Sequence, residues 1–212
     1  MRILGVDPGL TRCGLGTVDA SGGRRVSLVD MRVARSAAEL APHKRLLLIA
    51  DELDVVLAEF KPDVVAVERV FAKSNVRSVT GVAQVVGIVM LAAARANLPV
   101  EMHTPSEVKA AVTGNGRAEK KQVQLMVQRI LRLKELPRPA DAADALAIAI
   151  TQAWRGGTAS LYAEPDRTQH GGAGTLPRAT GYDLTPAQKL WAGAERMSRR
   201  HGAVAPPEAP KR

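Results

Sequence analysis

The chain reads as an α/β protein, a mixed sheet flanked by helices, followed by a tail without a core of its own. Short apolar runs that stop at turn residues alternate with longer stretches whose apolar positions recur every three or four residues. The first three of these runs follow one another with no helical stretch between them. After Arg155 the pattern ends, and glycine and proline clusters replace periodic apolar residues.

Ile3-Leu4-Gly5-Val6 is an apolar run closed by Asp7-Pro8-Gly9, which predicts a buried strand and a turn. Residues 14–18 and 26–33 read as two further strands, split by the turn signal Ser21-Gly22-Gly23, and the three together suggest an antiparallel meander. Over residues 42–60, Leu46, Ala50, Leu53, Leu57 and Phe60 fall on one helical face. A second core strand follows, Val64-Val65-Ala66-Val67, ending at Glu68. Residues 75–97 form a long Ala/Val-rich helical stretch, and residues 100–103 a third core strand. Thr104 and Glu107 then place a hydroxyl and a carboxylate at the spacing of a capping box. Val123, Met126, Val127, Ile130 and Leu131 line one face of the next helix, with Lys120, Lys121, Gln124 and Arg129 around the rest. The last helix is expected over about residues 139–154.

A length of 212 residues suits one well-buried domain plus an appendage, and two full domains would be cramped. Hydrophobic residues, 46% of the chain, suffice for a core, and with only 3% aromatics that core is aliphatic. The expected division is a domain over residues 1–154 and a basic, mostly disordered tail over residues 155–212. The tail carries nine basic residues against five acidic ones, and residues 186–200 form a candidate short helix bearing Leu190, Trp191, Ala194 and Met197. A net charge of +9 points to a polyanionic partner, nucleic acid or anionic lipid. The longest apolar run, residues 85–94, is too short to cross a bilayer, and the N-terminus lacks the length of a signal peptide, so a cytoplasmic, membrane-free protein is expected. The single cysteine, Cys13, excludes an internal disulfide, and the sequence offers no Cys/His zinc cluster.

The carboxylates carry the functional signal. Asp7 ends the first core strand and Glu68 the second, and in an open α/β sheet ligands sit outside the carboxyl ends of the strands. Asp141 and Asp144, three apart at the start of the last helix, share one side of it. Each has a plainer explanation: Asp7-Pro8-Gly9 is good turn chemistry, and acids in a helix's first turn favour the macrodipole. Glu68 resists one, because an acid closing an apolar strand is costly unless paired or bound to a cation. Together the four make a hard-oxygen site suited to Mg²⁺ or Mn²⁺, the ions with which many nucleases activate water at a phosphodiester.

The segments Ile3-Leu4-Gly5-Val6-Asp7-Pro8-Gly9, Val67-Glu68-Arg69-Val70-Phe71 and Asp141-Ala142-Ala143-Asp144-Ala145-Leu146-Ala147-Ile148-Ala149 resemble the signature segments of RuvC Holliday junction resolvases, in the same order and at similar separations. Residues 114–120 (Gly-Asn-Gly-Arg-Ala-Glu-Lys) also resemble that family's glycine-containing loop before its basic helix. The likeness spans residues 1–154 and implies a ribonuclease H-like fold. It further implies a homodimer that resolves four-way junction DNA by paired symmetric nicks, two Mg²⁺ per subunit with Mn²⁺ as a substitute, and a branch-migration helicase complex of the RuvA and RuvB proteins as partner. By position, Asp7, Glu68, Asp141 and Asp144 resemble the family's catalytic metal-binding carboxylates. Phe71 resembles the aromatic that stacks into the opened junction, against the plainer reading of a core residue. Lys109 and Lys120 resemble its DNA-contacting lysines, against a solvated helix face. Arg69 stands where the family pattern has Gln, and the tail is longer than the minimal family pattern.

Two rival readings remain at this point. Gly5-Val6-Asp7-Pro8-Gly9-Leu10-Thr11 also resembles the first phosphate loop of actin-like ATPases, which need a second domain that this length does not accommodate. A non-catalytic DNA-binding module with structural acids is the other.

Overall fold

A computed structural model describes residues 1–69 and 76–155, apart from the side chains of residues 76–78. Phe71 and the tail after Arg155 lie outside the described residues. The elements follow in order as β1 (Arg2–Asp7), β2 (Arg12–Ala20), β3 (Val26–Arg35), α1 (Pro42–Phe60), β4 (Val64–Glu68), α2 (Val76–Arg95), β5 (Val100–His103), α3 (Pro105–Thr113), α4 (Lys120–Ile130) and α5 (Ala140–Arg155).

The five strands form one mixed sheet in the order β3-β2-β1-β4-β5. β1, β2 and β3 pair antiparallel, which is the expected meander. β4 joins β1 in parallel and β5 joins β4 in parallel, each after a helical crossover. The capping box forms as read: the Thr104 hydroxyl accepts from the Glu107 backbone N–H at 3.2 Å, and a Glu107 carboxylate oxygen accepts from the Thr104 N–H at 2.7 Å.

Strand alternation decides what each face of the sheet carries. Leu4, Val6, Cys13, Leu15, Val65 and Val67 pack with Ile49, Leu53 and Val56 of α1 and with Val85 and Val89 of α2. On the opposite face Ile3, Val18, Val64 and Ala66 pack with Val108 of α3, Val123 and Val127 of α4, and Leu146 to Ile150 of α5. Ile3, Leu4, Ile49, Leu53, Leu146, Ile148 and Ile150 are fully buried, each stabilising the fold by roughly 1.5–3 kcal/mol. Asp7 and Glu68 fall in phase with Ile3 and Ala66, so both belong to the face covered by α5.

Glycines let α5 lie directly on that face. A Cβ at Gly5 would stand 2.1 Å from the carbonyl oxygen of Ala145, one at Gly14 2.1 Å from that of Asp141, and one at Gly16 2.8 Å from the backbone nitrogen of Leu146. Asp7 and Gly14 are register partners across β1 and β2, as are Gly5 and Gly16. The helix answers with small residues of its own, Ala142, Ala143, Ala145, Ala147 and Ala149, all buried. Backbone therefore rests on backbone where the last helix begins, beside the end of β1.

Candidate metal centre

Three elements deliver the four expected carboxylates to one end of the sheet. β1 ends at Asp7 and β4 at Glu68, while α5 carries Asp141 and Asp144. Asp141 sits in the first turn of α5, but Asp144 lies beyond it. The macrodipole, which acts within the first turn, thus accounts for Asp141 and not, as expected, for both.

The electrostatics report how closely the acids are gathered. Asp7 is pushed up from its ordinary 3.8 to about 7, by burial first and then by repulsion from Asp144, Glu68 and Asp141. Burial also raises Glu68, with Asp144 adding to the effect and Lys120 and Lys109 opposing it. Asp144 is raised by burial against the pull of its hydrogen bond to Lys120. Low dielectric and like charge act together here.

Two cations pair directly with these acids. Lys120 Nζ lies 2.5 Å from Asp144 Oδ2, and Arg12 Nε lies 3.1 Å from Asp141 Oδ2. Lys120 is raised, burial notwithstanding, by its hydrogen bond to Asp144. A cavity of about 220 Å³ opens between α3, α4 and α5, lined by Glu68, Asp144, Lys109 and Lys120 with Val108 and Val123. Both expected lysines therefore face the site and not only bulk solvent. Asp7 and Asp141 stand outside the lining of that cavity.

The donor set suits a hard divalent cation, because it consists of carboxylates whose mutual repulsion a cation relieves. Among the described residues no three acidic, histidine or cysteine side chains converge on one ion-sized point. Asp144 and Asp141 are instead engaged in salt bridges to Lys120 and Arg12. Asp7, Glu68, Asp141 and Asp144 are the carboxylates at this end of the sheet that could hold a metal.

Arg12 escaped the sequence reading, although it opens the strand whose third residue, Gly14, faces Asp7. The available signal was the set of glycines at 5, 14 and 16, which share one face of the sheet across β1 and β2 and mark the approach of another backbone. His103 also went unread. It is the register partner of Glu68, only 8% exposed, and its Nε2 donates to Gln152 Oε1 of α5 at 2.7 Å. Burial lowers its pKa, against the pull of its hydrogen bond to Gln152.

Residues 3–152 match the family described as crossover junction endodeoxyribonuclease RuvC. Among curated relatives, the RuvC of Leifsonia xyli subsp. xyli is 53% identical over 202 residues, covering 94% of this chain and 94% of its own. That of a Nocardioides species is 59% identical over 157 residues, 74% of this chain and 89% of its own. The solved structure of Thermus thermophilus RuvC in complex with Holliday junction substrate superposes with a TM-score of 0.71 at 40% identity, covering 76% of this chain and 98% of that one. The yeast mitochondrial Holliday junction resolvase shares the fold at 13% identity, with a TM-score of 0.53 over 73% of this chain. The fold, the order of the signature segments and these likenesses agree, and the chain belongs to the RuvC family of crossover junction endodeoxyribonucleases.

Proposed function

We propose that this chain resolves four-way Holliday junctions by paired symmetric nicks, using divalent metal held by Asp7, Glu68, Asp141 and Asp144. The chain is a phosphodiester hydrolase of DNA recombination and repair. The observation that supports the metal reading is that β1, β4 and α5 bring Asp7, Glu68 and Asp144 to the same end of the sheet, near enough for Asp144 to raise both Asp7 and Glu68 in addition to their burial.

When bound, two divalent ions supply an activated water on one side of the phosphodiester and stabilise the departing oxygen on the other. The chain's own residues do the rest. Asp7, buried and raised to about 7, must release its proton before it can ligate. Glu68 would contribute from the end of β4, and α5, lying close on Gly5, Gly14 and Gly16, would contribute Asp141 and Asp144. Lys109 and Lys120 line the cavity with Glu68, which supports their contacting the phosphate backbone. Phe71, by its place three residues after Glu68, stacks on a base of the opened junction. Mg²⁺ is the ion, with Mn²⁺ a substitute.

A single hydrolytic centre cuts one strand, so symmetric nicks need two copies of the chain. Exposed Leu47, Leu48 and Val55 on α1 and Leu91 on α2 supply apolar surface for such a homodimer. A branch-migration helicase complex of the RuvA and RuvB type is the further partner. No described helix is long and apolar enough to cross a membrane, which suits action on DNA in the cytoplasm.

The test is to incubate the purified chain with a synthetic four-way junction and Mg²⁺, beside a linear duplex of matched sequence. Symmetric nicks in the junction alone are expected. Equal cutting of both substrates, or none in the presence of metal, would overturn the reading.

A further inference from the structure

Only the segment of residues 8–11 separates Asp7, which ends β1, from Arg12, which begins β2. Its turn folds back on itself, since a Cβ at Gly9 would stand 2.2 Å from the carbonyl oxygen of Arg12. The segment is tied from outside the sheet. The buried Ser36 hydroxyl donates to the Leu10 carbonyl at 2.5 Å, and the Ser36 N–H donates to the Thr11 carbonyl at 3.1 Å. Arg45 of α1 then grips both partners: its Nε donates to Ser36 Oγ at 3.0 Å and its Nη2 to Thr11 Oγ1 at 2.7 Å. The Leu10 side chain rests on α2 where Gly81 leaves room, 3.3 Å from the place of a Cβ.

Helix stability does not explain an arginine at this position. The first turn of α1 contains no acid, and Pro42 is followed there by His43, Lys44 and Arg45. Cations near a helix N-terminus oppose the macrodipole. The guanidinium instead supplies one directed donor to Thr11 in the turn whose two ends are Asp7 and Arg12, and one to Ser36, which itself holds that turn; Arg12 is the cation on Asp141.

We infer that Arg45, acting through Ser36 and Thr11, is a positioning residue of the metal centre: it fixes the turn that sets where the Asp7 carboxylate stands and how Arg12 meets Asp141. The inference rests on the reading of Asp7 as a metal ligand. Outer partners that orient metal ligands typically contribute about 10–100-fold to metal affinity, and one acting through the backbone belongs at the lower end.

The experiment titrates Mn²⁺ calorimetrically into the full-length chain and its Arg45→Met, Arg45→Lys, Ser36→Ala, Asp7→Asn and Lys44→Met variants, with junction affinity in chelator and melting temperature measured alongside. Arg45→Met, which keeps the aliphatic stem, is expected to weaken Mn²⁺ binding about tenfold and to leave junction affinity in chelator unchanged. Arg45→Lys recovers part of the loss, because one donor is restored. Lys44→Met, at an exposed neighbour on the same turn, changes nothing. Wild-type Mn²⁺ affinity in Arg45→Met, with weakened binding in Asp7→Asn, would overturn the positioning role and leave a surface tie that serves stability alone. Wild-type affinity in Asp7→Asn would sink the assignment of Asp7 itself, and this inference with it. Should Arg45→Met not fold, Ser36→Ala decides in the same way, with weakened Mn²⁺ binding as support and unchanged binding as refutation.

Discussion

Lys120 Nζ and Asp144 Oδ2 stand 2.5 Å apart, so a lysine read from sequence as a DNA contact is also the cation paired with a carboxylate of the proposed metal centre. The pair is half-open to solvent on the lysine side, with 57% of the Lys120 side chain exposed. An ammonium and a divalent ion compete for the same oxygen. Lys120→Met should therefore tighten Mn²⁺ binding to the free protein, by about two- to fivefold for a partly exposed pair. The same variant should weaken junction binding and lower the slope of its salt dependence by about 1, one phosphate contact being lost. Calorimetry with and without junction reads both effects. Weaker Mn²⁺ binding in the variant would count against competition.

Replacing a carboxylate by its amide separates chemistry from binding. Asp7→Asn, Glu68→Gln, Asp141→Asn and Asp144→Asn should each lower junction cleavage at least about 100-fold, since metal-borne stabilisation of the transition state amounts to several kcal/mol. Gel-shift affinity in chelator should hold, because phosphate contacts by lysine and arginine remain. A variant that cuts at the wild-type rate removes that residue from the centre.

Asp7 gives the metal-free protein a defined pH dependence. Its folded value, about 7, is above the ordinary 3.8, so the native state holds this proton more tightly than the unfolded chain. The associated stability is fully present below about pH 4 and is lost as pH rises through about 7. In chelator, the melting temperature should fall between pH 5.5 and 8, and Asp7→Asn should flatten that fall and melt higher at pH 8. Mn²⁺ affinity should rise over the same interval, because ligation requires the ionised form. A melting temperature that climbs from pH 5.5 to 8 in the wild type would contradict the burial of Asp7.

Gly14→Ala tests the bed on which α5 lies. The added methyl meets the Asp141 carbonyl at 2.1 Å, a backbone atom that cannot swing aside. Overpacking of this kind costs roughly 1–3 kcal/mol, and the displaced element carries Asp141 and Asp144. Thermal melts should fall by several degrees, and cleavage should drop even well below the melting point. Wild-type cleavage in a folded Gly14→Ala protein would show that the first turn of α5 does not depend on this approach.

Periodicity and turn chemistry in the sequence determined the elements themselves. Within the described residues every strand and helix that it marks is found, with α1 spanning Pro42–Phe60 and β5 Val100–His103 as read, while the candidate helix over residues 186–200 lies outside them. The ends of β1 and β4 were legible for the same reason: Asp7 and Glu68 each close an apolar run, and alternation then fixes the sheet face they occupy. Arg12 against Asp141, Lys120 against Asp144, and the Arg45–Ser36–Thr11 tie were decided by tertiary structure. Each joins residues between 9 and 129 positions apart, from parts of the chain that the tertiary fold brings together. Local periodicity is set by a residue's neighbours along the chain, whereas the partner of a charge is set by whichever backbone packs closely enough to present it. In this protein that approach is controlled by Gly5, Gly14 and Gly16, whose missing side chains leave room for α5.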